Sequence, residues 1–207
     1  MSSSRTKPPI SVGHKPRGRH PPGLAVLFMA EMWERFSFYG MRALLVLYMT
    51  HVLGYADAAA YGVYGAYGAL VYAFPLLGGL LADRLLGYRV AIIIGGMLMA
   101  LGHFVMALPH EMALYAALAL LCIGNGFFKP NISSLVGRLY AEGDPRRDAG
   151  FTVFYMGINI GAFLAPLVCG RLGQRVHWHY GFGAAGVGMV LGLGWFLSGR
   201  ARLEGHG

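Results

Sequence analysis

Hydrophobic residues along the chain fall into six long segments that short polar stretches separate. A helix needs about 20 mainly apolar residues to cross a bilayer, and each segment is close to that length. We therefore predict an all-α membrane protein with six spanning helices, at about residues 22–53, 58–82, 90–108, 112–139, 150–172 and 181–197. The short loops hold turn-forming and charged residues, and one of them runs from Asp83 to Arg89.

The composition supports a membrane bundle and argues against a soluble domain. Only 13% of the 207 residues are charged and the mean hydropathy is +0.52, whereas soluble domains carry roughly 25% charged residues. The 32 glycines fit close packing of helices in a membrane. The net charge of +8 is spread over the first 21 residues and the short loops, so we expect a disordered basic tail and no nucleic-acid partner.

The distribution of Lys and Arg predicts the orientation. Twelve of the 17 basic residues lie on the side of the amino terminus, two lie on the opposite side, and three lie deep inside predicted spans, away from their ends. Basic residues concentrate in cytoplasmic loops. We therefore expect the tail and the last residues, 201–207, both to lie in the cytoplasm. The compact loops lead us to expect a multi-pass protein of a bacterial-type inner membrane.

The first segment carries charges where lipid would be expected. Glu31, Arg35, Phe38 and Arg42 follow one another at helical spacing and share one face, with Glu34 on its flank. A charged side chain at the bilayer centre costs roughly 2.5–3.5 kcal/mol on insertion scales. This face should therefore line a wet cavity or pair internally. We favour a substrate or proton pathway over a purely structural ion-pair network.

The fourth segment supplies a partner for this face. Asn125 and Lys129 lie one turn apart, and Pro130 is predicted to loosen the helix there. The charges that lie away from the ends of the spans are then two acids and three bases: Glu31, Glu34, Arg35, Arg42 and Lys129. This set has one cation in excess, so it should attract an anionic group such as a carboxylate. Protonation of either Glu would free a second cation, which makes proton-coupled binding plausible on physical grounds.

Polar stripes occur on two further helices: Tyr61, Tyr64, Gly68 and Tyr72 on the second, and Phe151, Tyr155 and Asn159 on the fifth. Tyrosines near helix ends are often interfacial, which is our interpretation of Tyr61 and Tyr64. Tyr72 and Asn159 lie deeper, where hydrogen bonding between helices and contact with a ligand are equally open.

Four motifs resemble one family, in the same order. The stretch EMWERFSFYG (31–40) resembles the ExxERFxYYG motif of the proton-dependent oligopeptide transporters, within the major facilitator superfamily. The stretches GGLLADRLLGYRVAI (78–92), GNGFFKPN (124–131) and FTVFYMGINIGAF (151–163) are similar to its signatures on the following helices. The resemblance implies the amino-terminal six-helix bundle of that fold and proton-coupled symport of di- and tripeptides. It implies no cofactor and no metal, since the proton gradient drives transport.

The resemblance also implies roles for single residues. Proton coupling would fall to Glu31, Glu34, Arg35 and Lys129, with Lys129 exchanging salt bridges with the acidic motif. The peptide, through its carboxylate and its neighbouring groups, would meet Arg35, Arg42, Tyr39, Tyr72, Asn125, Lys129, Tyr155 and Asn159. The loop residues that tie cytoplasmic helix ends together would be Asp83, Arg84 and Arg89.

Two departures from the family pattern matter. Phe38 stands at the first of two tyrosine positions, so a hydroxyl contact is lost there. Family members have two six-helix halves, and this chain ends after the first. It is therefore expected to be a fragment, a truncated reading frame or half of a split transporter, and not to transport alone.

Two alternatives remain open at this point. A related facilitator for nitrate or another small anion would use the same excess of cations. A non-transporting membrane module could instead bind a peptide or a partner bundle. An enzyme is disfavoured, because the sequence pairs no nucleophile with a base and has no metal-ligand cluster or phosphate loop.

Overall fold

The structure is a computed structural model that describes residues 18–205, and all regular elements within that range are helical. Most of the predicted basic tail, and residues 206 and 207, lie outside the described residues. The α-helices are α1 (Gly23–His51), α2 (Asp57–Leu81), α3 (Tyr88–Met106), α4 (Glu111–Arg138), α5 (Arg147–Ala165), α6 (Arg171–Arg175) and α7 (Trp178–Gly199). Two π-helical turns occupy Ala82–Leu86 and Pro166–Gly170, and a 3-10 turn occupies Arg200–Leu203.

Each of the six predicted segments contains a long helix, and α5 continues through its π turn into α6. Among the described residues, five helical spans are long and apolar enough to cross a membrane. The helix α1 is not one of these five, because it is less apolar: every 18-residue window within it contains at least three charged residues. Its 29 residues are nevertheless long enough to span, provided that its charges face the bundle. The predicted all-α membrane fold is confirmed.

The helices differ from the prediction around Gly87 and along the fifth segment. In place of the predicted loop from Asp83 to Arg89, a single residue, Gly87, separates the π turn from α3. Gly87 has φ +75°, a conformation that glycine adopts without strain. The helix α4 continues through Pro130 without a break, and the predicted loosening at that residue stays a prediction. The fifth segment begins earlier than predicted, at Arg147, and contains a π turn that starts at Pro166.

The helix α1 is the centre of the bundle. It packs between α5 and α7, while α3 bridges α7 and α4, and α2 lies on α4. The spans that contain α2 and α5 have only 22% of their apolar window buried, against 44–50% for the other spans. Large side chains such as Leu76 and Phe163 are exposed on them, at 80% and 68%. These two helices therefore present apolar faces that the described residues do not cover.

Helices α2 and α4 approach each other closely at a pair of glycines. A Cβ atom built on Gly78 would lie 2.8 Å from the backbone nitrogen of Phe127 and would clash with the carbonyl of Gly126. The side-chain amide of Asn131 donates to the carbonyls of Phe127, at 2.6 Å, and Gly78, at 3.5 Å. This contact holds α4 in position against α2, and it depends on the absence of a side chain at Gly78.

We expect Gly78→Ala to lower the free energy of unfolding by about 1–3 kcal/mol, because overpacking forces backbone shifts at such a contact. Chemical unfolding of the purified chain in detergent measures this change. The matched control is Gly65→Ala on the same helix, where nothing lies within 4 Å of an added Cβ. The control should be neutral or stabilising by less than about 1 kcal/mol; equal destabilisation in both variants would contradict the close-approach explanation.

Candidate functional site

Three charged residues of α1 form a buried cluster. Glu31, Glu34 and Arg35 are 1%, 0% and 3% exposed. The Nε atom of Arg35 donates to Oε2 of Glu34 and lies 3.3 Å from Oε1 of Glu31. Glu31 lies one helical turn before Arg35 and Glu34 directly precedes it, so a single guanidinium lies between two carboxylates. Of the two possibilities for this face, a wet cavity or internal pairing, the structure shows internal pairing for these three residues.

Asn125 joins the cluster from α4. It is fully buried, and its Nδ2 donates to Oε1 of Glu34 at 3.4 Å. Glu34 therefore has a partner on each oxygen, one from its own helix and one from across the bundle. By contrast, Oε2 of Glu31, Nη2 of Arg35 and Oδ1 of Asn125 have no hydrogen-bond partner among the described residues. Unpaired buried polar atoms are costly, which makes these three atoms the natural contacts for a proton or a polar ligand.

Phe38 separates the cluster from a second cation. The guanidinium carbons of Arg35 and Arg42 lie 5.0 and 5.9 Å from the centroid of its ring, within the range of cation–π attraction. The departure from the family pattern therefore leaves an aromatic face between two arginines. Tyr39, half-buried, packs edge-on against Phe38 with centroids 5.3 Å apart.

Arg42 has a partner that the sequence interpretation missed. Its Nε donates to the hydroxyl of Tyr64, and its guanidinium carbon lies 5.1 Å from the Tyr64 ring centroid. From the sequence, Tyr64 is expected to lie at the membrane interface and to have no role in the site. Its position in the α2 stripe with Tyr72 is a signal that points to the site instead. A cavity of about 20 Å³, room for about one water molecule, lies beside this pair and is lined by residues of α1 and α2.

Lys129 lies near Tyr72 and forms no salt bridge with the acids among the described residues. Its Nζ is 5.4 Å from the centroid of the Tyr72 ring, which is 70% exposed. No carboxylate oxygen of residues 18–205 is within 4.0 Å of Lys129. The exchange of salt bridges between Lys129 and the acidic motif therefore stays a prediction.

The predicted α5 residues are not part of the cluster. Tyr155 is 56% exposed and packs beside Phe151 and Phe154, and Asn159 is exposed. Neither residue has a hydrogen bond or ion pair to the α1 charges among the described side chains. The structure thus divides the predicted binding residues into a joined set on α1, α2 and α4 and a separate pair on α5.

The motif between α2 and α3 forms a chain of contacts at one end of the bundle. The Tyr88 hydroxyl donates to Oδ1 of Asp83 at 2.5 Å and accepts from Nη2 of Arg138 at 3.0 Å. This chain links the π turn that follows α2 to α3 and α4, and the predicted role of Asp83, Arg84 and Arg89 in tying helix ends stays a prediction. Arg84 is exposed and Arg89 is half-buried. Tyr88 and Arg138 are not among the predicted motif residues, although Tyr88 lies inside the stretch 78–92.

Known proteins match both the sequence and the fold. The profile of the POT family matches residues 89–206, more than half of the chain. The uncharacterized transporter YclF of Bacillus subtilis (strain 168) is 49% identical over 180 residues, which cover 84% of this chain and 37% of that protein. A di-/tripeptide transporter of Lactococcus lactis subsp. lactis (strain IL1403) is 47% identical over 190 residues, covering 88% and 38%.

A solved structure of similar sequence has the same fold. The crystal structure of a peptide transporter, POT, in complex with sulfate superimposes with a TM-score of 0.87 at 50% identity, covering 91% of this chain and 40% of that one. The chain therefore spans about two fifths of the length of the relatives it matches. Family motifs, a family profile and a shared fold agree: this chain belongs to the POT family and corresponds to the amino-terminal part of its transporters.

Proposed function

We propose that this chain forms the amino-terminal half of a proton-coupled symporter for di- and tripeptides. The observation that carries the proposal is the buried cluster in which Arg35 lies between Glu31 and Glu34, with Asn125 attached from α4. Such charges inside a membrane bundle are expensive and mark substrate or proton pathways. A di-/tripeptide transporter among the relatives supports peptides as the substrate class.

The cluster supplies a simple coupling step. Protonation of Glu31 would remove one of the two negative charges that hold Arg35. The Nη2 atom of Arg35, which has no partner among the described residues, would then be available for the carboxylate of a peptide. Arg42 and Lys129 add the cations that complete a site for an anion. The rest of the peptide site would be lined by Tyr39, Tyr72, Tyr155 and Asn159.

The second half of the transporter is the partner that this mechanism needs. Alternating access requires one bundle to move against another around a site near the midplane. The uncovered faces of α2 and α5 are the surfaces on which a second bundle would pack. Groups on that bundle would hold the amino terminus of the peptide. By the distribution of Lys and Arg, both ends of this chain would lie in the cytoplasm, across a cytoplasmic membrane.

One observation favours a second candidate, a facilitator for nitrate or another small anion. Arg42 and Lys129 have no carboxylate oxygen within 4.0 Å among residues 18–205, so the site holds cations that a small anion could satisfy. Peptides remain the better proposal, because a peptide carboxylate would use the same cations and a similar protein is a di-/tripeptide transporter.

Uptake by a joined transporter tests the proposal. The chain is fused to the carboxyl-terminal remainder of the Lactococcus di-/tripeptide transporter and reconstituted into proteoliposomes with an inwardly directed proton gradient. We expect radiolabelled dialanine to accumulate and nitrate not to accumulate. Accumulation of nitrate without dialanine would favour the anion facilitator. If neither accumulates while the intact Lactococcus protein transports dialanine, this chain is a non-transporting module.

A further inference from the structure

A polar cavity lies at the end of the bundle, away from the charged cluster. Its volume is about 480 Å³, and it is formed by the end of α4, the start of α5 and Gly205. Three charged side chains line it: Arg138, Glu142 and Arg147. The proposed transport step uses none of its surface.

The two arginines of this cavity are held by aromatic rings and not by acids. The guanidinium carbon of Arg138 lies 4.4 Å from the centroid of the Tyr88 ring, and that of Arg147 lies 5.9 Å from the Phe151 ring. Neither has a carboxylate oxygen within 4.0 Å among residues 18–205. Because neither guanidinium is paired with a carboxylate, each keeps N–H donors for an anion, and arginine donors suit phosphate.

The neighbouring Arg146 differs from these two arginines, because an acid of the same loop neutralises it. Nη2 of Arg146 lies 2.7 Å from Oδ2 of Asp144, and its Nη1 donates to the carbonyl of Arg19 at 3.0 Å. The bonds from Arg146 lower the pKa of Asp144 to about 2. Arg146 is thus committed to the protein, whereas Arg138 and Arg147 have no acid of their own.

Glu142 adds a negative charge to the same cavity. Its side chain is exposed, and no Lys, Arg or His nitrogen of the described residues lies within 4.0 Å of its carboxylate. The cavity therefore holds two cations and one anion that do not neutralise one another by contact. A ligand with a phosphate and an ammonium group matches both signs, while a purely anionic ligand would meet the carboxylate.

The position of the cavity identifies the source of such a ligand. The helix α4 has 28 residues and ends at Arg138, which at 1.5 Å per residue makes it about 42 Å long. This length exceeds a hydrocarbon core of about 30 Å and reaches the headgroup region. Tyr140, which also lines the cavity, is a residue type enriched at that level.

We propose that this cavity binds the headgroup of a phosphatidylethanolamine lipid, with the phosphate on Arg138 and Arg147 and the ammonium on Glu142. Arg138 also donates to Tyr88, which bonds Asp83. The bound headgroup would therefore touch the same residue chain that links α2, α3 and α4.

Lipid binding to the purified 207-residue chain in detergent tests this site. The probes are dioleoyl phosphatidylethanolamine, the phosphatidylcholine and phosphatidylglycerol with the same acyl chains, and free phosphoethanolamine. We expect phosphatidylethanolamine to bind about tenfold more tightly than phosphatidylcholine, whose methylated ammonium cannot donate a charge-assisted hydrogen bond. Free phosphoethanolamine should compete only weakly; equal affinity would overturn the assignment to a lipid.

Two variants separate the charges of the site. Arg147→Gln should weaken binding of phosphatidylethanolamine and phosphatidylglycerol alike, each by about tenfold. Glu142→Gln should abolish the preference for phosphatidylethanolamine over phosphatidylcholine and should raise the affinity for phosphatidylglycerol. Misfolding cannot raise the affinity for one lipid while it removes the preference for another. Arg200→Gln, an exposed change of the same charge at the same end of the bundle, should alter nothing. Equal binding of the two zwitterionic lipids to the unmodified chain, or a preference unchanged in Glu142→Gln, would overturn the proposal.

Discussion

Replacing Arg35 with methionine is expected to lower the free energy of unfolding by about 3–5 kcal/mol, because it leaves two carboxylates buried without their cation. Arg35 is 3% exposed and contacts both Glu31 and Glu34, so solvent cannot compensate for its loss. Methionine keeps much of the volume, which restricts the effect to charge. Chemical unfolding of the purified chain in detergent measures the change.

Two further variants show whether charge is the cause. Adding Glu31→Gln and Glu34→Gln to Arg35→Met should recover most of the lost stability, since no unpaired charge then remains. Arg200→Met, at an exposed position, should change stability by less than about 0.5 kcal/mol. If Arg35→Met is as mild as Arg200→Met, the cluster is not a buried ion-pair set.

Glu31→Gln is expected to reduce proton-driven dialanine accumulation in the joined transporter to the level of protein-free liposomes. Glu31 has one oxygen 3.3 Å from Arg35 and another without a partner among the described residues, so it is the acid best placed to take a proton. Glutamine keeps the shape but cannot be protonated. Exchange of labelled dialanine without a gradient should persist, because that exchange needs no net proton movement.

Lys129→Ala is expected to abolish the same accumulation by removing a cation of the proposed exchange, while Lys129→Arg should retain part of it. Glu204→Gln, an exposed acid outside the cluster, is the control for Glu31→Gln and should transport normally. Accumulation at the unmodified level in either Glu31→Gln or Lys129→Ala would assign the cluster a structural role only.

The sequence alone is enough to group the charged residues of α1 correctly, because helical periodicity depends only on position along the chain. That periodicity places Glu31, Arg35 and Arg42 on one face, and the cost of charge in lipid requires the face to be internal. The motifs also indicate the family that the comparisons with known proteins establish. All of these inferences use information from within single segments.

Contacts between helices could not be predicted in the same way. Periodicity does not say which face of α4 meets α1, so the bond from Asn125 to Glu34 and the separation of Lys129 from the acids appear only in the structure. The pairing of Arg42 with Tyr64 was missed for the same reason.

The sequence by itself determined that this chain is a helical membrane bundle of the POT type with charges that must face inward, because hydrophobic length and the cost of buried charge are properties of each segment. Only the tertiary structure decided that Asn125 bonds Glu34 from α4, that Arg42 pairs with Tyr64 on α2, and that α5 keeps Tyr155 and Asn159 apart from the cluster. The physical reason is that these features depend on how α1 rotates and docks against its neighbours, and packing across the whole bundle sets that rotation.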